Sequence, residues 1–317
     1  MARSLSGARI DWEAPMAQIL ATADIGSNTI HLLVAMASKK RFRRLVNDSE
    51  WLSLGEMVQR RGEISPEAIR QVIQVLTRFQ SEAKRLGADG LYVFGTEAMR
   101  KARNHDDLLA QIKAQTGIQV DLIDPRREAE LGLRGALLDS DPVMPAVFAE
   151  AGGGSLQVAE YDGAGMGREW SLPLGTGALM ARVNLTIPST PAQLSDLERT
   201  IQQAFDRADL PAFAPRLLCC GGVARGLWRA MHPDGQRELH WRELDHLVWD
   251  TSRLTTSLIS QRYQVKPKRA ETLLPGAVLF RSLMERLSVT TMEVSAYGVR
   301  EGAIAEMLEG RLTPVLT

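Results

Sequence analysis

The chain has 317 residues, with 38 Lys plus Arg balanced by 38 Asp plus Glu and a formal net charge of zero. That length allows one large or two ordinary domains, and the neutral balance excludes a global basic field for nucleic acid. No apolar run is long enough to cross a bilayer, and the two cysteines, Cys219 and Cys220, are adjacent, which excludes a disulfide framework.

Gln18 to Asp24 reads as a short strand and Thr29 to Ala37 as a second, apolar one. Between them, Asp24-Ile25-Gly26-Ser27-Asn28 is an acid followed by small residues. Such a turn lets backbone N–H groups face a phosphate, although a hairpin turn capped by Asn and Ser uses the same residue types. Ser65-Pro66-Glu67 is a helix start, with an N-cap hydroxyl and proline at the first helical position. Ile69, Val72, Ile73, Leu76, Phe79, Ala83 and Leu86 follow at helical spacing, and Gly87 ends the helix. Gly90 to Phe94 is a buried strand. Helical patterns run on through Met99 and again from Asp106 to Gln115. Val120 to Ile123 is a strand and Arg126 to Leu138 a helix. Strands alternating with helices predict an α/β sheet.

Pro142 to Pro145 marks a boundary, after which the pattern restarts: a strand to Glu150, a glycine turn, and a strand from Ser155 to Tyr161. Helices are expected from about Ala192 to Asp206, Val223 to Met231, Trp241 to Tyr263, Pro275 to Leu287 and Val299 to Leu308. Leu217 to Cys220 and Met292 to Ser295 are short strands. The turn Gly152-Gly153-Gly154-Ser155 is costly in conformational entropy, and close approach of backbone to an anion explains it better than a plain hairpin. It is neither a GxGxxG fingerprint, since Gln157 replaces the third glycine, nor a Walker loop, since no Gly-Lys-Ser/Thr occurs. Gly221-Gly222 ends a strand and opens a helix, a place that can receive phosphate or serve as a close-packing turn.

Thr96, Arg100, Arg103 and Asn104 flank a helix start, and Arg126, Arg127 and Arg134 lie beside Glu128. Arginines can grip phosphate oxygens in a bidentate fork, and they can equally form a solvated helix face. Glu128 held near phosphates could activate water as a general base. His105-Asp106 resembles the seed of a metal-dependent phosphohydrolase site, but only five histidines occur and they are scattered, so it reads as a chance pair.

These loops, in this order, resemble the exopolyphosphatase / guanosine pentaphosphate phosphatase (Ppx/GppA) family. The resemblance rests on Asp24-Ile25-Gly26-Ser27-Asn28, Gly95-Thr96-Glu97-Ala98-Met99-Arg100, Arg127-Glu128-Ala129-Glu130-Leu131, Gly152-Gly153-Gly154-Ser155, Cys220-Gly221-Gly222 and Tyr297-Gly298-Val299-Arg300-Glu301-Gly302. It covers nearly everything after Gln18 and looks like the family's short form. It implies an α/β fold of two actin-like (ribonuclease H-like) domains with a substrate cleft between them. Domain I would span residues 18–140 and domain II 141–299, the helix within 300–317 would pack back on domain I, and 1–17 would be a flexible tail. The implied reaction releases terminal phosphate from inorganic polyphosphate or guanosine pentaphosphate, with Glu128 as the water-activating base. Phosphate-binding positions would be Asp24, Gly26, Ser27, Asn28, Thr96, Arg100, Gly152, Gly153, Gly154, Ser155, Gly221 and Gly222. Asp24, Glu150 and Gln157 would face a divalent metal, Mg2+ or Mn2+, and Lys266, Lys268, Arg269 and Arg300 would form a polyphosphate track. No nucleic-acid or membrane partner is implied, a homodimer is compatible, and a cytoplasmic location is expected.

Three positions depart from the family's pattern. Glu150 stands where an aspartate is usual, and Gln157 where a glutamate is usual; an amide cannot take a proton or neutralise a cation. Val223 also replaces a threonine. An alternative expectation is therefore a weakened or inactive member that binds polyphosphate or a guanosine alarmone.

Overall fold

The computed structural model describes residues 17–38, 41–141 and 144–314. The amino-terminal tail up to residue 16 and part of the 142–145 boundary lie outside the described residues. Two mixed sheets organise the chain. The first has the order β3-β2-β1-β4-β5, with β1 (Gln18–Ile25), β2 (Thr29–Ser38), β3 (Arg41–Trp51), β4 (Gly90–Gly95) and β5 (Val120–Leu122). The second has the order β10-β11-β9-β6-β7-β8, with β6 (Ala146–Ala151), β7 (Leu156–Tyr161), β8 (Met166–Leu172), β9 (Leu217–Cys220), β10 (Glu238–His240) and β11 (Thr291–Val294). Each sheet opens with a hairpin whose first strand also pairs in parallel with a later strand: β1 with β4, and β6 with β9. The restart of pattern after residue 145 is thus a repeated topology.

The helices of the first half are α1 (Leu54–Arg61), α2 (Pro66–Arg85), α3 (Glu97–Lys101), α4 (His105–Thr116) and α5 (Pro125–Ala136). The expected start at Ser65 is present: its hydroxyl accepts from Ala68 N at 3.2 Å, with Pro66 in the first turn. The apolar stripe of α2 packs on β1, β2 and β4 in one core. The second half carries α6 (Thr176–Arg182), α7 (Pro191–Arg207), α8 (Gly221–Met231), α9 (Trp241–Thr251), α10 (Thr256–Arg262), α11 (Pro267–Arg286) and α12 (Val299–Leu308).

Two helix expectations need correction. The single helix over Trp241 to Tyr263 is two helices, because Thr255 starts a new one, its hydroxyl accepting from Leu258 N at 3.4 Å. The helix expected from Pro275 begins at Pro267 and carries Pro275 in its buried interior. Either proline satisfies a first-turn signal, and here the earlier one opens the helix. Strands β3 and β8 and helices α1 and α6 were not anticipated. Strand β3 is a polar edge with no fully buried residue, so it lacks the alternation that betrays a strand with one face in the core.

Helix α12 returns from the second half to cover the first sheet. Val299, Ala303, Ile304 and Met307 share a core with Leu20, Leu33, Ala35, Tyr92 and Phe94. Arg127 pairs with Glu306, binding α5 to α12. The two helices cross so closely that a Cβ on Gly135 would lie 2.6 Å from the carbonyl carbon of Gly298, and one on Gly302 2.8 Å from that of Leu131. Only glycine allows this approach.

Candidate active site

Between the two sheets, an inner cavity of about 130 Å³ opens on an outer chamber of about 1020 Å³. Both β-hairpin turns reach the inner cavity. In the first, Gly26 N donates to Thr29 O at 3.1 Å, and the carbonyls of Ser27 and Asn28 accept from Gly55, Leu52 and Ser53. In the second, the carbonyls of Gly152, Gly153 and Gly154 accept from Thr176, Ala178 and Gly175 at 3.0–3.1 Å. Carbonyls tied back this way leave the amides of Ser27, Asn28, Gly153 and Gly154 without an acceptor among the described residues. Free amides in a concave turn form an anion cradle. The two turns also meet: a Cβ on Gly154 would stand 2.8 Å from Ser27 Oγ. Side chains at Gly153 and Gly154 would run into Asn28 and into Glu97 and Ser27, whereas Gly152 has open space beside it.

Glu128 lies on α5, whose N-cap Asp124 accepts from Arg127 N at 2.7 Å. Its carboxylate lines the inner cavity. Gly132, one turn on, lies against Glu150 and 3.0 Å, measured from its Cβ position, from Phe148 Cζ. Glu128 therefore faces the second loop's strand. Burial pushes its pKa up to about 7, opposed by Arg100 and reinforced by Asp24 and Glu97. Burial likewise raises Asp24 to about 6, opposed by Arg300 and Arg225, and Glu150 to about 8, where Glu128 adds to the rise. The carboxylates resist sharing a desolvated space.

The other expected positions divide. Thr96, Ser155, Gln157, Gly222, Arg269 and Arg300 line the same cavity. Gly221 sits behind it, with φ +85° and its Cβ position 2.9 Å from Glu150 Cγ. Arg100 does not line the cavity: its Nη1 donates to Ile123 O and to Glu128 Oε2, the latter at 3.3 Å. Its guanidinium is engaged with the Glu128 carboxylate. Lys268 faces the outer chamber, 3.5 Å from Glu271 and 6.0 Å from the Trp51 ring centroid, whereas the exposed Lys266 lines neither space. Gln157 is 2% exposed and spends its amide on Ser155 Oγ at 3.2 Å. Cys219 and Cys220 are buried free thiols raised well above their usual range by burial, consistent with a structural role.

Sequence reasoning missed Arg225, Glu97 and Trp51, all of which line the inner cavity. Glu97 directly follows Thr96 in the segment Gly95 to Arg100, and its position there was the available signal. Arg225 is one arginine among many until folding places it.

The donor set suits a particular kind of cation. Asp24 Oδ1, Glu97 Oε2 and Glu150 Oε2 are buried without hydrogen-bond partners. Such oxygens favour a proton or a cation. No cluster of three or more His, Cys, Asp or Glu at metal-ligand spacing forms among the described residues. Mg2+ commonly takes one or two carboxylates and completes its shell with water and substrate phosphate. The residues fit that mode and not an all-protein cage.

Two turns with free amides share this cavity with a half-buried carboxylate; the class is a phosphohydrolase on an actin-like two-domain α/β fold. Comparison with known proteins agrees. Exopolyphosphatase 1 of Mycobacterium leprae is 26% identical over 316 residues, covering 92% of this chain and 89% of that protein. The guanosine-5'-triphosphate,3'-diphosphate pyrophosphatase of Photobacterium profundum is 23% identical over 315 residues, covering 93% of this chain and 60% of that protein. The solved structure of an exopolyphosphatase from Cytophaga hutchinsonii ATCC 33406 superposes with a TM-score of 0.83 at 22% identity, covering 94% of this chain and all (100%) of that one. An Aquifex aeolicus Ppx/GppA family member gives 0.80 at 22% identity, covering 93% and 99%. The sequence pattern of the Ppx/GppA phosphatase family matches residues 33–310, and the chain belongs to that family. Among the described residues no helix is long and apolar enough to cross a membrane.

Proposed function

We propose that the chain removes the terminal phosphate of inorganic polyphosphate or of guanosine pentaphosphate. The observation that carries this reading is the meeting of two hairpin turns whose free amides share one cavity with Glu128. The terminal phosphate would sit between Ser27–Asn28 and Gly153–Gly154. Glu128 would accept the proton of the attacking water, and Arg100 would hold its carboxylate in place. Asp24 and Glu150 would hold a divalent cation, with Mg2+ or Mn2+ supplying charge neutralisation at the phosphate oxygens. Arg269 and Arg300 would receive the rest of the anion. A cytoplasmic location and a homodimer belong to the same reading.

A second reading, binding with weak turnover, is favoured by Gln157 and by the high pKa of Glu150, about 8. At neutral pH without a cation, neither offers a carboxylate charge. Phosphate release from both substrates, with Mg2+ and with Mn2+, separates the two. Release that disappears in Glu128→Gln supports hydrolysis by this base. Tight binding without release supports the second reading.

A further inference from the structure

The inner cavity is lined by two kinds of charged group. Carboxylates come from Asp24, Glu128 and Glu150. Guanidinium groups come from Arg225 of α8, Arg269 of α11 and Arg300 of α12, three elements that meet only in the folded chain. None of these three arginines has an ion pair among the described residues. Arg300 is 7% exposed, and it donates to Leu32 O at 3.4 Å and Asn47 Oδ1 at 2.9 Å. The side chains of Arg225 and Arg269 make no hydrogen bond among the described residues and lie half-buried. Backbone has been cleared around them: the Cβ position of Gly298 lies 3.3 Å from Arg225 Nη1, and that of Gly226 2.8 Å from Arg269 Cδ.

Like charges gathered out of water are costly unless an anion joins them. The cost is visible in their surroundings. Burial, then Arg225 and Arg229, lower Arg269 to about 10. Half-buried His31, which lines the same cavity, is held well below its usual range by burial and then by Arg300, Arg225 and Arg269. A neutral His31 relieves the crowding but supplies no negative charge. Arg225 also acts on Asp24 and Glu150, so it lies near the carboxylates as well as near Arg269.

We propose that Arg225, Arg269 and Arg300 form a leaving-group subsite, and that Arg225 is a catalytic residue that takes up the charge developing on the bridging oxygen. The inference rests on the hydrolytic reading above. In that step the water oxygen bonds to the terminal phosphorus while the bond from that phosphorus to the bridging oxygen breaks. The electron pair stays on the bridging oxygen, and the water's proton goes to Glu128. The departing phosphate therefore gains negative charge, and Arg225, Arg269 and Arg300 are the cavity-lining arginines free of ion pairs that can meet it. Charge that appears only in the transition state is best met by groups already fixed in place, and the three crossing elements fix these.

The test compares wild type with Arg225→Lys, Arg225→Gln and Arg225→Ala, using tripolyphosphate. In phosphate release with Mg2+, kcat should fall by about 10²-fold in Arg225→Gln and Arg225→Ala, with KM changing much less, and Arg225→Lys should recover part of the loss. In a second measurement without metal, tripolyphosphate should raise the melting temperature of wild type, and the rise should shrink in Arg225→Gln. Unchanged kcat in Arg225→Gln overturns the catalytic role. A wild-type-sized melting shift in Arg225→Gln overturns the subsite. If wild type releases no phosphate, the hydrolytic reading fails, and the melting shift alone then decides whether the anion subsite exists. If Arg225→Ala does not fold, the near-isosteric Arg225→Gln carries the test.

Discussion

Asn28 and Gly153 meet from opposite hairpin turns: a Cβ on Gly153 would come within 2.6 Å of Asn28 Cγ. Gly153→Ala should therefore hold the two turns apart without unfolding either sheet, since its own backbone does not require a positive φ. Phosphate release should drop by at least about 10²-fold while the melting temperature changes little, because small misplacements at a phosphate site are costly. Melting curves and phosphate release measured on one preparation check it.

Glu128→Gln keeps the shape of the side chain and removes its basicity. Phosphate release should fall by roughly 10²–10⁴-fold, the usual worth of a general base. Binding of a non-hydrolysed polyphosphate analogue, measured by calorimetry, should persist.

Arg100 tests two roles against each other. Its guanidinium opposes the rise in the Glu128 pKa, which stands at about 7. The active base is the deprotonated form, so rate should fall as pH drops below about 7. Arg100→Gln should move that acid limb to higher pH. If Arg100 instead held phosphate, KM would rise and the limb would stay in place.

Glu150 carries a stability signature in the metal-free protein. Its folded pKa, about 8, lies above the ordinary value of 4.5. The folded state thus holds the proton more tightly than the unfolded one, giving stability that is full below pH 4.5 and lost as pH rises through about 8. Relative to its value near pH 5, the stability of Glu150→Gln should gain on wild type by roughly 3–4 kcal/mol near pH 8.5, since each pKa unit is worth about 1.4 kcal/mol. Urea melts at the two pH values measure this.

Cation binding should depend on the substrate. With only isolated carboxylates available and no three-ligand cluster among the described residues, Mg2+ alone should bind weakly. Calorimetry with Mg2+ alone, and again with a polyphosphate analogue present, should show affinity rising by at least about tenfold. Equal affinity in both titrations would point to a preformed protein site.

What could be read along the chain was local. Helix α2 announces itself through Ser65, Pro66 and an apolar stripe, and both glycine turns were visible because closely packed backbone needs missing side chains. Family resemblance then supplied the pairing of the turns. What escaped depended on partners distant in sequence. Strand β3 is polar because it is an edge, so no alternation marked it. The pairing of Arg100 with Glu128 was not visible until α5 placed the two side by side. Arg225 had no distinguishing neighbour in sequence, and only the meeting of α8, α11 and α12 brings it into the cavity with Arg269 and Arg300.

The close crossing of α5 and α12 has a consequence for biosynthesis. Strands β1, β2 and β4 leave the ribosome early, yet the helix that shields one face of them is translated after the whole second sheet. During synthesis at about 5–20 residues per second, Leu20, Leu33 and Phe94 remain open to water or to a chaperone. Nascent chains stalled before Val299 should be cut readily by protease in the amino-terminal half, and chains extended past Leu308 should resist.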